Sequence, residues 1–133
     1  MIYLDASALV TLVGGRRFAS ELREFLSGYP GMPMGTSSIG FVEVIRTLDR
    51  IGDYPHAMRD LVQNFTEILV TEEVRDQAAL VPTGVRTLGA VHVASAQVIG
   101  SSLKVLVSYD TRMLDVAHSL GLPTAAPGLA EGV

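Results

Sequence analysis

The chain of 133 residues has no cysteine, no tryptophan and a single lysine among its ten basic residues. Without cysteine there are no disulfides, no thiolate metal sites and no cysteine nucleophile. No apolar run approaches the ~18–20 residues that a membrane span needs. The N-terminus also lacks the basic start and continuous apolar segment of a signal peptide, so a cytoplasmic protein is expected. Ten basic residues against fourteen acidic ones leave a net charge of −4. A general nucleic-acid coat is usually basic, so any nucleic-acid contact has to be local or metal-assisted. The other nine basic residues are all arginine, the better side chain for bidentate phosphate contacts, although GC-rich codon usage explains that bias equally well. What the chain does have, 48% hydrophobic and 18% charged residues, describes an ordered globular protein. Its length suits one domain with a real core.

Ile2, Tyr3 and Leu4 form an apolar run too short for a helix and rich in strand formers, which predicts a buried strand. Leu9 to Val13 continues apolar until Gly14-Gly15. Phe18, Leu22, Phe25 and Leu26 then recur at helical spacing and stop at Gly28 and Pro30. Met34 begins a short strand. Thr36-Ser37-Ser38 offers N-cap hydroxyls for a helix to about Ile51, closed by Gly52. Apolar residues surround most of that helix, so it is expected to be largely buried. Glu43 stands in its middle, with Arg46 at i+3 placed to pair with it. A further helix starts at Pro55, and Ile68-Leu69-Val70 reads as a buried strand. Thr71 caps the next helix, with Glu72 and Glu73 in the first turn where the helix dipole favours acids. Leu88, Val91, Ser95 and Val98 mark one face of a helix from about Thr87 to Ile99, with Gly89 near its start and His92 one turn on. Leu103 to Ser108 is a strand of the fully buried type that delivers Asp110. Leu114, Ala117 and Leu120 give the last helix, with Gly121 at its end, and Pro123 to Ala126 a short edge strand. Residues 1–126 thus read as one domain and 127–133 as a loose tail. Strands alternate with helices throughout, which predicts an α/β fold with a parallel sheet and helices on both faces.

Two strands end in aspartates, Asp5 and Asp110, and in a parallel sheet those ends share one edge, where ligands bind in open α/β sheets. Glu43 comes from a buried helix. Acids brought together repel, and one takes up a proton unless a cation is present. Magnesium or manganese is the natural cation for carboxylate and water oxygens. Ser7, Thr36, Ser37 and Ser108 are hydroxyls available to support the acids or a substrate phosphate. Each acid alone also has a plain structural reading: Asp5 capping a turn, Glu43 neutralised by Arg46, and Asp110 as an N-cap.

The run Ile2-Tyr3-Leu4-Asp5-Ala6-Ser7-Ala8-Leu9, then Thr36-Ser37 with Glu43-Val44-Ile45-Arg46, resembles PIN domains of the VapC toxin type. So do Arg86-Thr87-Leu88-Gly89-Ala90-Val91-His92-Val93-Ala94-Ser95-Ala96 and Val107-Ser108-Tyr109-Asp110. The resemblance spans almost the whole chain. It implies a three-layer domain around a parallel sheet of about four to five strands. The implied activity is a magnesium- or manganese-dependent endoribonuclease, inhibited by a cognate antitoxin and usually a homodimer. Asp5, Glu43 and Asp110 would be its metal ligands and catalytic acids, supported by Ser7, Thr36, Arg46 and Ser108.

The family's third acid, in a Leu-Asp-Ala-x-His pattern, falls on position 89, where this chain has glycine. Glycine costs ~1 kcal/mol relative to alanine in a helix, so helix stability does not account for it. An inactivated variant of a toxic nuclease and a natural member with a weakened site both fit. His92 is expected to be a packed helix residue. Arg46, Arg86 and Arg112 are each able to meet RNA phosphate or an antitoxin carboxylate. The alternative function is a non-catalytic PIN-like module that binds antitoxin or RNA without cutting. A phospho-acceptor receiver domain shares the alternation, but the middle strand that should end in an acceptor aspartate runs into Val70-Thr71, and the only lysine, Lys104, begins a strand instead of ending one.

Overall fold

The computed structural model describes residues 1–129. The elements in chain order are β1 (Ile2–Leu4), α1 (Ala6–Gly14), α2 (Ala19–Ser27), β2 (Met34–Ser37), α3 (Ser38–Ile51), α4 (Ala57–Asn64) and β3 (Thr66–Ile68). They continue with α5 (Glu72–Leu80), α6 (Thr87–Ile99), a short 3-10 turn (Gly100–Ser102), β4 (Val105–Val107), α7 (Thr111–Ser119) and β5 (Thr124–Ala125).

All strand pairs are parallel, in the order β3-β2-β1-β4-β5. Strand alternation divides the core. Ile2, Leu4, Val105 and Val107 face one layer with Leu9, Phe41, Val44 and Leu48. Tyr3 and Leu106 face the other with Val74, Val93 and Met113. Because side chains alternate along a strand, three residues of β1 build both layers. Helices therefore cover both faces of a parallel sheet, as the alternation predicted. β1 lies between β2 and β4, so the chain leaves β1 and β4 from neighbouring strands at the same sheet edge.

Two expectations need correction. The third strand is Thr66–Ile68, not Ile68–Val70, and it is an edge strand: Leu69 is 62% and Val70 42% exposed. Among the described residues only β2 pairs with it, so this apolar triplet has no second strand there to bury it. α3 is only half-buried. Phe41, Val44 and Leu48 enter the core, while Val42 is 54% exposed. An apolar residue records a tolerance for burial, not the presence of a covering element.

The tail expected to be loose from Pro127 starts tied to the domain. The Tyr109 hydroxyl donates to the Pro127 carbonyl at 2.7 Å, and the Leu129 amide to Ala126. Residues 130–133 lie outside the described residues.

Candidate active site

Asp5 follows β1 directly and is the N-cap of α1, so backbone geometry puts its carboxylate at the rim of the sheet. It is 3% exposed. One oxygen accepts from the Ser7 hydroxyl at 2.7 Å and the Ala8 amide at 3.0 Å. The other accepts from the Ser108 hydroxyl at 2.7 Å. Among the described residues no cation pairs with it. Burial pushes the Asp5 carboxyl above the usual carboxylate range, against the opposing pull of His92 and the three hydrogen bonds.

Ser7 and Ser108 link this acid to the β4 end. The Tyr109 amide donates to Ser7 Oγ at 2.9 Å and the Asp110 amide to Ser108 Oγ at 3.0 Å. Asp110 is itself the N-cap of α7, accepting from the Arg112 and Met113 amides through one oxygen. Its other oxygen makes no hydrogen bond among the described residues, so capping leaves half of this carboxylate available.

Asp5, Ser7, Glu43, Gly89, His92 and Asp110 line one cleft of about 440 Å³. The three expected acids and the glycine at the family's remaining acid position are thus brought to one surface. Thr36 is elsewhere: it is fully buried and its hydroxyl has no partner. Ser37 caps α3, accepting from the Ile39 amide. Arg46 does not pair with Glu43. It lines an adjoining apolar groove of about 510 Å³ with Val42, Arg50 and Leu88. Arg86 and Arg112 line a second adjoining cavity, about 420 Å³, that shares Gly89 and Asp110 with the cleft.

Glu43 pairs instead with His92, whose Nε2 lies 2.6 Å from Oε1. The other ring nitrogen, Nδ1, lies 2.6 Å from the Tyr3 hydroxyl. Sequence reading missed this chain of contacts because they join residues 49 and 89 apart along the backbone. Tyr3 looked like strand core and His92 like helix core, and both are buried. The available signal was a histidine one turn beyond Gly89 on an otherwise apolar helix.

These residues fit a hard divalent ion by their chemistry. The donors are carboxylates and hydroxyls, with no sulfur among them, and Asp5 is a buried acid with no ion-pair partner among the described residues. The set is incomplete in number: among the described residues no three His, Asp or Glu side chains stand close enough to hold an ion by themselves. Position 89 has room for a further acid. A Cβ there would lie 3.3 Å from Val85 Cβ and 3.6 Å from Met113 Cε, asking only a few tenths of an ångström of Val85.

Residues 2–119 match the family model described as PIN domain. The chain is 35% identical over 133 residues to Ribonuclease VapC47 of Mycobacterium tuberculosis, covering 96% of this chain and 98% of that one. Its fold is similar to that of Mycobacterium tuberculosis VapC20, described as a sarcin-ricin loop cleaving toxin, with a TM-score of 0.74 over 96% of this chain and 100% of that one at 18% identity. A toxin-antitoxin complex from Klebsiella pneumoniae contains a chain similar at TM-score 0.64, 21% identical, covering 84% of this chain and 88% of that one. The chain belongs to the PIN domain family and, within it, to the VapC type.

Proposed function

We propose that this chain is the toxin of a toxin–antitoxin pair, a magnesium- or manganese-dependent endoribonuclease acting in the cytoplasm, with hydrolysis weakened by the glycine at position 89. The observation that carries this reading is Asp5: a buried, unneutralised carboxylate held by two hydroxyls and an amide, facing a cleft that Glu43 and Asp110 also line.

In this reading Asp5, Glu43 and Asp110 hold the ion. A divalent ion so held orients and deprotonates a water and offsets the charge that develops on the reacting phosphate. Ser7 and Ser108 fix the Asp5 carboxylate, so it need not reorganise. Arg86 and Arg112 flank the cavity beside Asp110, which supports their meeting the RNA backbone. Arg46 and Arg50 sit in the more apolar groove, which supports an antitoxin segment with apolar and acidic side chains. Exposed Met58, Val62 and Leu80 leave apolar surface for a second copy, in line with a homodimer.

The test is metal-dependent RNA cleavage by this chain beside its Gly89→Asp variant, with Asp5→Ala as the blank. A bound ion supplies several kcal/mol of charge stabilisation in the transition state, so a Gly89→Asp protein that holds it better should cut about a hundredfold faster or more. Equal cleavage by both would mean that three acids suffice. If neither cuts, the nuclease reading falls and a binding module without turnover takes its place.

A further inference from the structure

Four groups form one continuous line from the sheet to the cleft. The Ser37 amide donates to the Tyr3 hydroxyl oxygen at 3.2 Å. The Tyr3 hydroxyl lies 2.6 Å from His92 Nδ1, and His92 Nε2 lies 2.6 Å from Glu43 Oε1. Tyr3 and His92 are 0% and 1% exposed. The rings meet edge to face, with centroids 5.7 Å apart.

Hydrogen-bond accounting fixes where the protons are. A buried hydroxyl needs an acceptor for its proton. The Ser37 N–H can only donate, and although the Thr36 and Ser95 hydroxyls also stand beside the Tyr3 hydroxyl, the well-formed contact is the 2.6 Å one to His92 Nδ1, so that nitrogen is the acceptor for Tyr3. A ring nitrogen that accepts carries no proton, which leaves the imidazole hydrogen on Nε2. That N–H donates to Glu43 Oε1. Every proton in the line then points from the sheet toward the cleft.

We infer that His92, held in one tautomer by Tyr3, is the positioning residue for Glu43, fixing one carboxylate oxygen so that the other faces the cleft. This rests on the proposed role of Glu43 as an ion ligand. The need for such a device follows from α3. Glu43 stands on its half-exposed side, with its side chain 26% exposed, and a glutamate has three rotatable bonds to fix. Arg46, the neighbour on the same helix, does not hold it. Outer partners that orient a metal ligand typically change affinity by about 10–100-fold when removed.

Two measurements test it. Long-range proton–nitrogen correlation NMR on the full chain should show His92 with its hydrogen on Nε2. In Tyr3→Phe, which removes only the hydroxyl, the Nε2–H preference should weaken. A hydrogen on Nδ1 in the unsubstituted chain overturns the inference whatever the nuclease assay gives. Separately, Mn²⁺ binding followed by electron paramagnetic resonance should weaken about tenfold or more in His92→Leu. Tyr3→Phe should weaken it less, and His92→Gln, which keeps an N–H donor, should recover part of the loss. Circular dichroism identifies the variants that fold, and His92→Gln and Tyr3→Phe preserve most of the packing volume. Mn²⁺ affinity unchanged across all folded variants means that the line is structural only and overturns the inference, while the nuclease reading stands. Absence of Mn²⁺ binding by both the unsubstituted chain and Gly89→Asp overturns the reading of the acids, and this inference with it.

Discussion

The carboxylate of Asp5 accepts from two hydroxyls and one amide while buried beside no cation. Burial raises its pKa, so the fold favours the protonated form. The sign follows: this contribution to stability is complete below the ordinary carboxylate range and lost as pH rises through the raised value. As pH rises above the ordinary carboxylate range without metal, the buried Asp5 carboxyl therefore costs the fold stability. Asp5→Asn, of the same shape and never charged, should hold or raise the thermal midpoint by a few degrees in metal-free buffer, where about 1 kcal/mol corresponds to a few degrees. It should also abolish Mn²⁺ binding. Such a split between stability and function marks a site residue. A large loss of stability in metal-free Asp5→Asn would show instead that the charged form holds the fold together. Part of this site was legible in the chain: Asp5 ends an apolar strand and Ser7 follows within reach. Ser108, 103 residues away, was a candidate hydroxyl only, because nothing local says which acid it meets.

At the scale of elements, α3 shows how close packing sets a residue that carries no chemistry. A Cβ at Gly40 would clash with Thr36 Oγ1 and lie 3.2 Å from His92 Cε1. Glycine lets α3 approach β2 and lets His92 lie against it. Gly40→Ala should destabilise by about 1–3 kcal/mol through overpacking, read as a lower denaturant midpoint. It should also disturb the His92 ring signals, since the same Cβ presses on that ring. An alanine variant as stable as the parent would mean that α3 shifts freely, and Glu43 with it. Nothing along the chain marks this contact; apolar spacing located the helix and its caps, while its exposed side was decided by what packs there. The misplaced third strand has the same cause. Ile68-Leu69-Val70 has the composition of an interior strand, but its place in the sheet has only β2 beside it.

For the whole molecule, the order β3-β2-β1-β4-β5 gathers the chain's start, middle and end at one edge. Tyr109 ties that edge to the tail through Pro127 and stacks on Phe18, ring centroids 5.5 Å apart. Burial, with Glu21 nearby, pushes its phenol up to about 12. A raised phenol pKa stabilises the fold below about pH 10 and loses that contribution as pH rises from 10 toward 12. Stability should therefore fall over that window, and Tyr109→Phe should flatten part of the fall. At neutral pH the same variant should be about 1 kcal/mol less stable for the lost hydrogen bond. Urea midpoints at pH 8 and 11 test both; equal slopes in the two proteins would remove Tyr109 from the account. Burial pushes Tyr3 up as well, so a residual slope is expected.

By itself the sequence determined the alternation of strands and helices, the parallel sheet, the two strand-end aspartates and the glycine at position 89. These depend on local period, on turn and cap residues, and on motif order, all written along the chain. Only the tertiary structure decided that Glu43 meets His92 rather than Arg46, that Arg86 and Arg112 share a cavity with Asp110 while Arg46 shares a groove with Glu43, and that β3 is an exposed edge. Each of those depends on which distant surfaces meet. Hydrogen bonds and burial are set by proximity in space, and residues 49 to 103 positions apart carry no local mark of it.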